Sequence, residues 1–439
     1  MNLLKSTLPL SLISALRFLG LFLVIPTIAV YANSLGASPW MIGLAVGGYA
    51  LTQIIFQTPF GILGDKFDKR AIIAFGLIVF IVGSLICAMS ENIYWLVAGR
   101  LIQGVGAISS LISALISDLT PEEHRTKAMA IMGGGISMSF LLSMLIGPLI
   151  GGTFGLNVLF YIAAFCSVLS LLILLFKVPK TAKITYSYLS NTHQNHYLKD
   201  RDLWLMHISA FLQKALANLT FVIIPLVLHK DFAISENELW KFYAPAGILG
   251  ILSMAPASIF AEKYGYYKKV MIAGIIAFIL CFILFCYSDH IQSLWLFAVG
   301  IIVFFIGFNI HEPIMQSLAS KYPKASQRSS ALGLFTTFGF LGSFFGAVLG
   351  GVLYEYIGLF WLSLLTGIIS FLWIIALVFG LRNPKKYKTI FLKDIQDWNR
   401  ASKIEGVEDL YLAGDTLSIK YNPQITNEEV IKEKLKNDL

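Results

Sequence analysis

The placement of the positive charges is the feature that most constrains this chain. Long apolar runs follow one another along the sequence, and before the polar tail nearly every Lys and Arg of the connecting segments lies in alternate gaps. The intervening gaps at residues 32–39, 152–157 and 354–358 hold no Lys or Arg, and only Lys230 and Lys241 interrupt the alternation. Cytoplasmic loops of membrane proteins carry an excess of Lys and Arg. The pattern therefore predicts a chain that crosses a bilayer repeatedly, with its basic loops in the cytoplasm.

Composition supports a membrane protein and argues against other classes. Only 13% of the 439 residues are charged, against about 25% in an ordinary soluble protein. The net charge of +8 does not indicate a nucleic-acid partner, because the tail from Asn383 onward holds ten basic and ten acidic residues and the excess lies in the loops. The four cysteines lie inside apolar runs, without a CxxC pair or a Cys/His cluster. We therefore expect no disulfide framework, metal or cofactor.

Twelve membrane-spanning helices can be placed, and the longest internal loop divides them six and six. The spans are predicted at residues 9–31, 40–63, 71–89, 93–117, 128–151, 158–177, 204–228, 242–260, 270–288, 294–319, 331–353 and 359–380. Apolar runs of about 20 residues are long enough to cross the hydrocarbon core as helices. We predict an all-α membrane protein that is monomeric in the lipid bilayer, with both termini in the cytoplasm.

Four regions follow from this division of the chain. They are an N-terminal six-helix bundle (1–178), a cytoplasmic linker (179–202), a C-terminal six-helix bundle (203–382) and a small cytoplasmic module (386–439). The module shows a βαββα order, with a helix over residues 394–403 and a hairpin turn at Gly414-Asp415. This order is that of a ferredoxin-like α+β fold.

The two bundles repeat each other in sequence. Arg125 is answered by Arg328, and Gly151 by Gly350, in each case about 200 residues later. Similar offsets indicate duplication of a six-helix unit, with the two units related by an axis along the membrane normal. Such an architecture suits alternating access, in which two halves rock around a central site.

A loop rich in charged residues follows the second span. Its candidate residues are Gly61, Asp65, Lys66, Lys69 and Arg70. The glycine lets two helices approach closely, and the carboxylate can hold a neighbouring helix end because an anion is favourable near a helix N-terminus. The alternative is an ordinary basic loop, but Glu262 and Lys263 stand at the equivalent place in the second half. That repetition favours a specific latch.

The fourth span contains a charge. Arg100 lies within it, close to Gln103 and Gly104. A charge at the centre of a membrane helix costs about 2.5–3.5 kcal/mol on insertion scales, and such residues are usually functional. The alternative is an arginine whose head group extends to the nearby membrane surface.

Glycine and proline mark the fifth span. The residues are Gly134, Gly147, Pro148, Gly151 and Gly152. They allow a kink and close contact with a neighbouring helix. Ordinary packing of small residues is the alternative interpretation.

Polar residues inside other spans are candidates for a transport pathway. Glu312 is the only acidic residue placed well inside any span, and its neighbour His311 points about 100° away on a helix. Lys214 lies in the seventh span together with Gln213 and His207. The candidates for lining a cavity are Gln53, Gln57, Lys214 and Asn309.

These motifs together resemble the major facilitator superfamily. The loop around Asp65 is similar to the family's motif after its second helix, and Arg100 with Gln103-Gly104 to its fourth-helix motif. The Gly147-Pro148 run is similar to the antiporter motif of its proton-coupled drug exporters. Similarity to the YajR-type subfamily extends through the residues around Arg17, Gln53, Gln57, Asp118, Arg125, Asn309 and Glu312 into the tail. The resemblance implies twelve helices, an inner-membrane location, proton-driven efflux and a ferredoxin-like tail.

The resemblance also implies a gate. In the family, the motif after the second helix joins the two halves. Here we expect Asp118, at the end of the fourth helix, and residues 328–330 to be the neighbours of Asp65 and Lys66, with Arg125 in the same gate. The gate is expected to control conformation and not to bind substrate.

A proton-coupling site is implied as well. Helices one and ten line the cavity from opposite halves in the family, and charges inside a membrane are usually paired. We expect Arg17 and Glu312 to approach each other when the cytoplasmic side is closed, with His311 assisting proton transfer. A permanent ion pair that holds the helices together is the alternative.

The leading interpretation is a secondary active transporter that exports small amphiphilic organic compounds in exchange for protons. The sequence holds no Walker A motif, which an ATP-driven pump would need. It also shows no polar catalytic cluster, so a membrane enzyme is disfavoured. A sensor that signals through the tail would not need twelve spans. A proton symporter that imports a small nutrient is the alternative among transporters.

Overall fold

The protein consists of two sets of long helices and a small sheet. The computed structural model describes residues 3–120, 124–178, 186–188, 199–324, 327–382, 387–393 and 398–436. The first set comprises α1 (Leu3–Phe22), α2 (Ile25–Ser34), α3 (Pro39–Lys66), α4 (Lys69–Ala88), α5 (Ile93–Val105), α6 (Ser109–Leu119), α7 (Arg125–Phe154) and α8 (Leu156–Lys177). The second set comprises α9 (Arg201–Lys230), α10 (Trp240–Tyr264), α11 (Tyr267–Ile291), α12 (Leu294–Lys321) and α13 (Arg328–Gly380).

The number of membrane spans agrees with the prediction. Eleven segments of the described chain are long and apolar enough to cross a membrane. The last of them, Ser330–Gly380, is broken at Gly358, whose φ of 74° and ψ of 173° are not helical. Glycine adopts a positive φ without steric penalty, so the chain can turn there and begin a new helix. The described residues therefore hold twelve spans.

Two spans that the sequence analysis treated as single helices are interrupted. The first breaks between α1 and α2, where Pro26 stands at the start of α2 and has no N–H to bond back to Phe22. The fourth breaks between α5 and α6 at Gly106, whose φ of −69° and ψ of 52° lie outside the helical range. Breaks of this kind leave backbone carbonyls without helical partners inside the bundle.

The two ends of the helical bundle differ in charge and in closure. We call the end that carries Lys69, Arg70 and Lys268 the basic side, and the end that carries Ser38 and Asn237 the opposite side. The apolar core at the opposite side joins both halves; it includes Val24, Ala45, Val222, Leu226 and Ala347.

Glycines show where the halves touch. A Cβ atom at Gly43 would overlap the backbone of Val348, and one at Gly152 would overlap Asn237 across the same interface. Toward the basic side, a Cβ added at Gly61, Gly133, Gly134 or Gly333 would meet no described atom within 4 Å. The structure is therefore closed between the halves on the opposite side and open on the basic side.

The tail forms an antiparallel sheet that includes a strand from the linker. Its elements are β1 (Tyr186–Tyr188), β2 (Lys388–Lys393), β3 (Val407–Ala413), β4 (Thr416–Tyr421) and α14 (Glu428–Lys436), and the strand order is β1-β3-β4-β2. Gly414, with a φ of 63°, lies in the predicted hairpin turn between β3 and β4. Strand β1 pairs with β3, with Ser187 opposite Leu412. The linker between the two halves is thus tied to the tail.

Parts of the predicted tail and linker differ from the structure or lie outside it. Of the helix predicted over residues 394–403, the structure has a 3₁₀ helix at Trp398–Lys403, and residues 394–397 lie outside the described chain. Residues 179–185 and 189–198 of the linker also lie outside it. Strand β1 was missed because three residues in a polar loop are too few to show a periodicity. The ferredoxin-like identity of the module stays a prediction.

Candidate functional site

A layer of phenylalanine rings crosses the space between the halves. The rings are Phe22 and Phe140 from the first half and Phe221, Phe305 and Phe308 from the second. Phe140 is the centre of this layer, with ring centroids 5.3 Å from Phe22, 5.9 Å from Phe221 and 6.0 Å from Phe308. We call these five rings the aromatic layer. It blocks the route between the open basic side and the closed opposite side.

An ion pair lies on the basic side of the aromatic layer. The Lys214 ammonium donates to both carboxylate oxygens of Glu312, at 2.8 and 2.9 Å. Gln213 Nε2 donates to the same carboxylate at 2.7 Å, and Gln316 Nε2 at 2.9 Å. The side chains of Lys214 and Glu312 are 28% and 21% exposed, although both lie well inside their helices. They therefore face the open space between the halves.

The helices explain why these groups meet. Glu312 is four residues after Phe308 on α12, and residues four apart lie on the same helix face. Lys214 is on α9, and its ammonium lies 5.2 Å from the centre of the Phe308 ring. The ion pair and the aromatic layer are thus in direct contact.

Arg17 has a different partner from the one expected. Its Nη2 donates to the backbone oxygen of Gly106 at 2.7 Å, and its Nη1 to Ser109 Oγ at 3.0 Å. The break between α5 and α6 exposes this carbonyl, and the side chain of Arg17 is fully enclosed. In this conformation Glu312 is therefore paired with Lys214 and not with Arg17. An approach of Arg17 to Glu312 in the state closed on the basic side stays a prediction.

His311 is not part of the pathway in this structure. Its ring is fully buried, with centroid distances of 4.9 Å to Trp373 and 6.3 Å to Phe278. These aromatic rings belong to the interior of the second half, on the side of α12 turned away from Glu312. The histidine packs in a helix interface, which disagrees with its expected role beside the carboxylate.

Arg100 is fully buried and does not extend to the membrane surface. Its Nε donates to Ala45 O at 3.0 Å and its Nη2 to Val46 O at 3.1 Å. Its Nη1 donates to Gln103 Oε1 at 2.8 Å, and Gln103 in turn donates to Ser84 Oγ. The fourth-helix motif thus joins α5 to α3 and α4. Gly104 contributes to the same contact, since a Cβ there would overlap the backbone oxygen of Tyr49.

The loop after the second span is held by contacts within the first half. Lys69 forms an ion pair with Asp118 at the end of α6. Arg70 Nη2 donates to the backbone oxygens of Leu174 and Leu175 at the end of α8, both at 3.2 Å. The side chains of Asp65, Lys66, Arg125 and Arg328 lie outside the described part of the structure.

The glycines of the fifth span separate into two groups. A Cβ at Gly147 would overlap the backbone oxygen of Leu23, at the break between α1 and α2, and one at Gly151 would lie 2.9 Å from Leu159 Cδ1. Gly134 lies in open space. Gly147 and its neighbours therefore permit close contact of α7 with the first span, as expected from their small size.

Of the four candidates for lining a cavity, only Lys214 takes part in the ion pair with Glu312. Asn309 Nδ2 donates to Phe305 O of its own helix at 2.9 Å, and Gln53 is buried. Gln57 is half-buried on α3. Gln316 was missed by the sequence analysis, although its spacing of four residues from Glu312 places both on one helix face.

Twelve spans in two halves are the architecture of a secondary membrane transporter. The chain belongs to the Major Facilitator Superfamily, whose family model matches residues 10–267 and 206–421. It is a multi-pass membrane protein, and several of the relatives with which it aligns are named as transporters.

The relatives differ in what their names state. The chain is 34% identical to the inner membrane transport protein YajR of Escherichia coli (strain K12), over 79% of this chain and 77% of that protein. It is 28% identical to the quinolone resistance protein NorA of Staphylococcus aureus (strain COL), over 77% of this chain and 87% of NorA. Among solved structures, a D-xylose-proton symporter superposes with a TM-score of 0.72 at 14% identity, covering 86% of this chain and 98% of the symporter. That similarity establishes the fold alone.

Proposed function

We propose that the protein is a proton-coupled transporter of small amphiphilic organic compounds in a bacterial inner membrane. Glu312 binds and releases the proton, and both termini lie in the cytoplasm, on the basic side. The observation that supports this most directly is the Glu312 carboxylate, which faces the open pathway and is held by Lys214 and two glutamines. The membrane location is supported by the name of the relative YajR, and the orientation by the basic loops.

Protonation of Glu312 would change several contacts at once. The carboxylate accepts hydrogen bonds from Lys214, Gln213 and Gln316. A neutral carboxyl group attracts the ammonium of Lys214 much less than a carboxylate does, because the attraction between opposite charges is lost. Lys214 lies against Phe308, whose ring contacts Phe140 of the other half. Proton binding can therefore act on the contact between the halves.

Export in exchange for protons is the first direction of coupling. It is supported by the similarity of Gly147-Pro148 to the antiporter motif and by NorA, a relative named for quinolone resistance. In this direction the basic loop around Lys69 and Asp118 acts as a gate, and the sheet of the tail is a docking or regulatory module of ferredoxin-like type.

Import together with protons is the second direction, and the ion pair favours it. Without a proton, Lys214 and Glu312 neutralise each other, so an empty pathway can close without burying an unpaired charge. A transporter that can change conformation while empty is able to return after it has released its proton and substrate together. It is therefore suited to moving both in the same direction.

A panel of toxic compounds separates the two directions even while the substrate is unidentified. Bacteria that overproduce an exporter tolerate its substrates better, whereas bacteria that overproduce an importer become more sensitive to them. Glu312→Gln should remove either response, and Lys230→Met, on the opposite side, should behave like the unchanged protein. If Glu312→Gln gives the same response as the unchanged protein for every responsive compound, at matched membrane levels, the proposed proton site is wrong.

A further inference from the structure

The charges inside the membrane spans are unbalanced. Away from the ends of the spans, Arg17, Arg100 and Lys214 are opposed by one carboxylate, that of Glu312. The guanidinium groups of Arg17 and Arg100 are enclosed in the first half and held by backbone carbonyls. Lys214 differs from both, because it is exposed to the pathway and Glu312 is its charged partner in the described chain. Its ammonium therefore depends on a group whose charge changes with protonation.

The ion pair passes through states of different charge. With Glu312 ionised, the pair is neutral. With Glu312 protonated and nothing else bound, Lys214 carries a charge of +1 without a counter-ion. Closing the basic side would bury that charge, which is strongly unfavourable in a membrane protein. An anion bound to Lys214 makes the site neutral again, so the pathway can close when it is empty or when it holds both a proton and an anion.

Among the described residues, the helices that pack against α12 hold no other acidic side chain that could serve as the counter-ion of Lys214. Helices α9, α10, α11 and α13 pack against α12. Apart from Lys214, the Lys, Arg, Asp and Glu residues of these helices lie near the helix ends or beside the break at Gly358. His207 stacks on Phe338, and His311 packs on Trp373. The described residues of these helices therefore provide no second carboxylate for Lys214, and we assign the role of counter-ion to the substrate.

The surroundings of Lys214 fit an acid group attached to an apolar body. Phe308 lies directly beside the ammonium, and the rest of the aromatic layer extends from it across the pathway. Gln213 and Gln316 place additional amide donors around the position of the Glu312 carboxylate. A ligand with an anionic oxygen group could use these donors while its apolar part contacts the rings.

We propose that the substrate is an amphiphilic organic anion, whose acid group takes the place of the Glu312 carboxylate on Lys214 when Glu312 takes up a proton. The proton moves from solution to a carboxylate oxygen of Glu312, and the charge of the substrate then balances that of Lys214. The inference rests on the proposed proton site at Glu312. Because proton and anion bind together, it selects import together with protons over exchange.

Binding of two matched probes to the purified full-length protein in lipid nanodiscs tests this inference. The probes are naphthalene-2-sulfonate and naphthylmethyl-trimethylammonium, which have similar apolar bodies and permanent opposite charges. Glu312→Gln mimics the protonated carboxyl, so at about pH 8 it should bind the sulfonate about tenfold or more tightly than the unchanged protein. The ammonium probe should show no such gain. Adding Lys214→Gln should remove the gain, whereas adding Lys214→Arg should keep it.

Proton uptake separates failure of this inference from failure of the proton site. In weak buffer near neutral pH, sulfonate binding to the unchanged protein should take up protons, and binding to Glu312→Gln should not; Lys230→Met should match the unchanged protein. No gain in sulfonate affinity in Glu312→Gln, or an equal gain for the ammonium probe, overturns the anion inference. If acid–base titrations of folded Glu312→Gln and unchanged protein also coincide, the proton site is overturned as well.

Discussion

Charged side chains inside this membrane domain are stabilised in two ways. Arg17 and Arg100 are enclosed, and their guanidinium groups donate to backbone carbonyls of other helices. Lys214 and Glu312 face the pathway and neutralise each other. The first arrangement does not depend on protonation and joins helices within one half. The second changes when Glu312 binds a proton. We therefore assign a structural role to the two arginines and a role in transport to the ion pair.

Arg100→Lys should lower the stability of the folded protein. Lysine has one ammonium and cannot reach the three acceptors of Arg100, which lie on two helices. A buried hydrogen bond that involves a charged group contributes about 1.5–3 kcal/mol, so a loss of about that size is expected. The measurement is the melting temperature in detergent. Arg382→Lys, on an exposed side chain, is the control, and equal melting temperatures for both variants would contradict the assignment.

At the scale of elements, two broken spans bring the functional groups into place. The break between α1 and α2 lies where Gly147 of α7 makes its closest approach, at Leu23. The break between α5 and α6 provides the carbonyl that holds Arg17. The interruptions are therefore sites of contact between helices, and the small residues of α7 are needed only where a neighbour is close.

Gly147→Ala and Gly134→Ala should differ in their consequences, although both glycines belong to the same sequence motif. A methyl group at Gly147 would overlap the backbone oxygen of Leu23, whereas one at Gly134 would enter open space. Crowding of a close helix contact costs about 1–3 kcal/mol. We expect a clearly lower melting temperature for Gly147→Ala and a nearly unchanged one for Gly134→Ala. A larger loss in Gly134→Ala would show that α7 packs differently.

The end of α3 and the turn that follows it should control the rate of transport. Asp65→Asn is expected to slow substrate flux severalfold while substrate affinity at equilibrium stays nearly the same, because Asp65 lies in the last turn of α3, on the basic side with Lys69 and Asp118 and not beside the ion pair. Flux and equilibrium binding measured on the same preparation test this. Asp289→Asn, on the opposite side, is the control. A large loss of affinity with normal turnover would place Asp65 in the binding site instead.

At the scale of the whole molecule, sequence predicted the spans well because a bilayer permits few structures. Backbone groups in hydrocarbon must bond internally, so apolar runs become helices, and charge alternation orders them. Partners of individual side chains depend on how helices pack, which periodicity does not encode. The contact of Arg17 with the carbonyl of Gly106 was not predicted, because the break at Gly106 has no strong sequence signal. Strand β1 is too short to show a periodicity, and its partner in the sheet is more than 200 residues away, so no local pattern indicates it.

Removal of the tail should leave transport in place. The tail contributes strands to a sheet with β1, Lys420 donates a hydrogen bond to the backbone oxygen of Lys321, and the described residues of the tail lie outside the pathway. A protein truncated after Lys385 should insert into the membrane and retain part of its flux, measured in cells at matched membrane levels. An inserted, folded truncation without any flux would make the tail part of the transport machinery.

The central claim is that Glu312 carries the transported proton, and one comparison tests it most directly. The unchanged protein and Glu312→Gln are reconstituted in liposomes with a compound identified by the panel of toxic compounds. Glu312→Gln should exchange that compound across the membrane at equilibrium but should not accumulate it under an imposed pH gradient, whereas the unchanged protein should do both. Accumulation by Glu312→Gln that still follows the pH gradient would contradict the account.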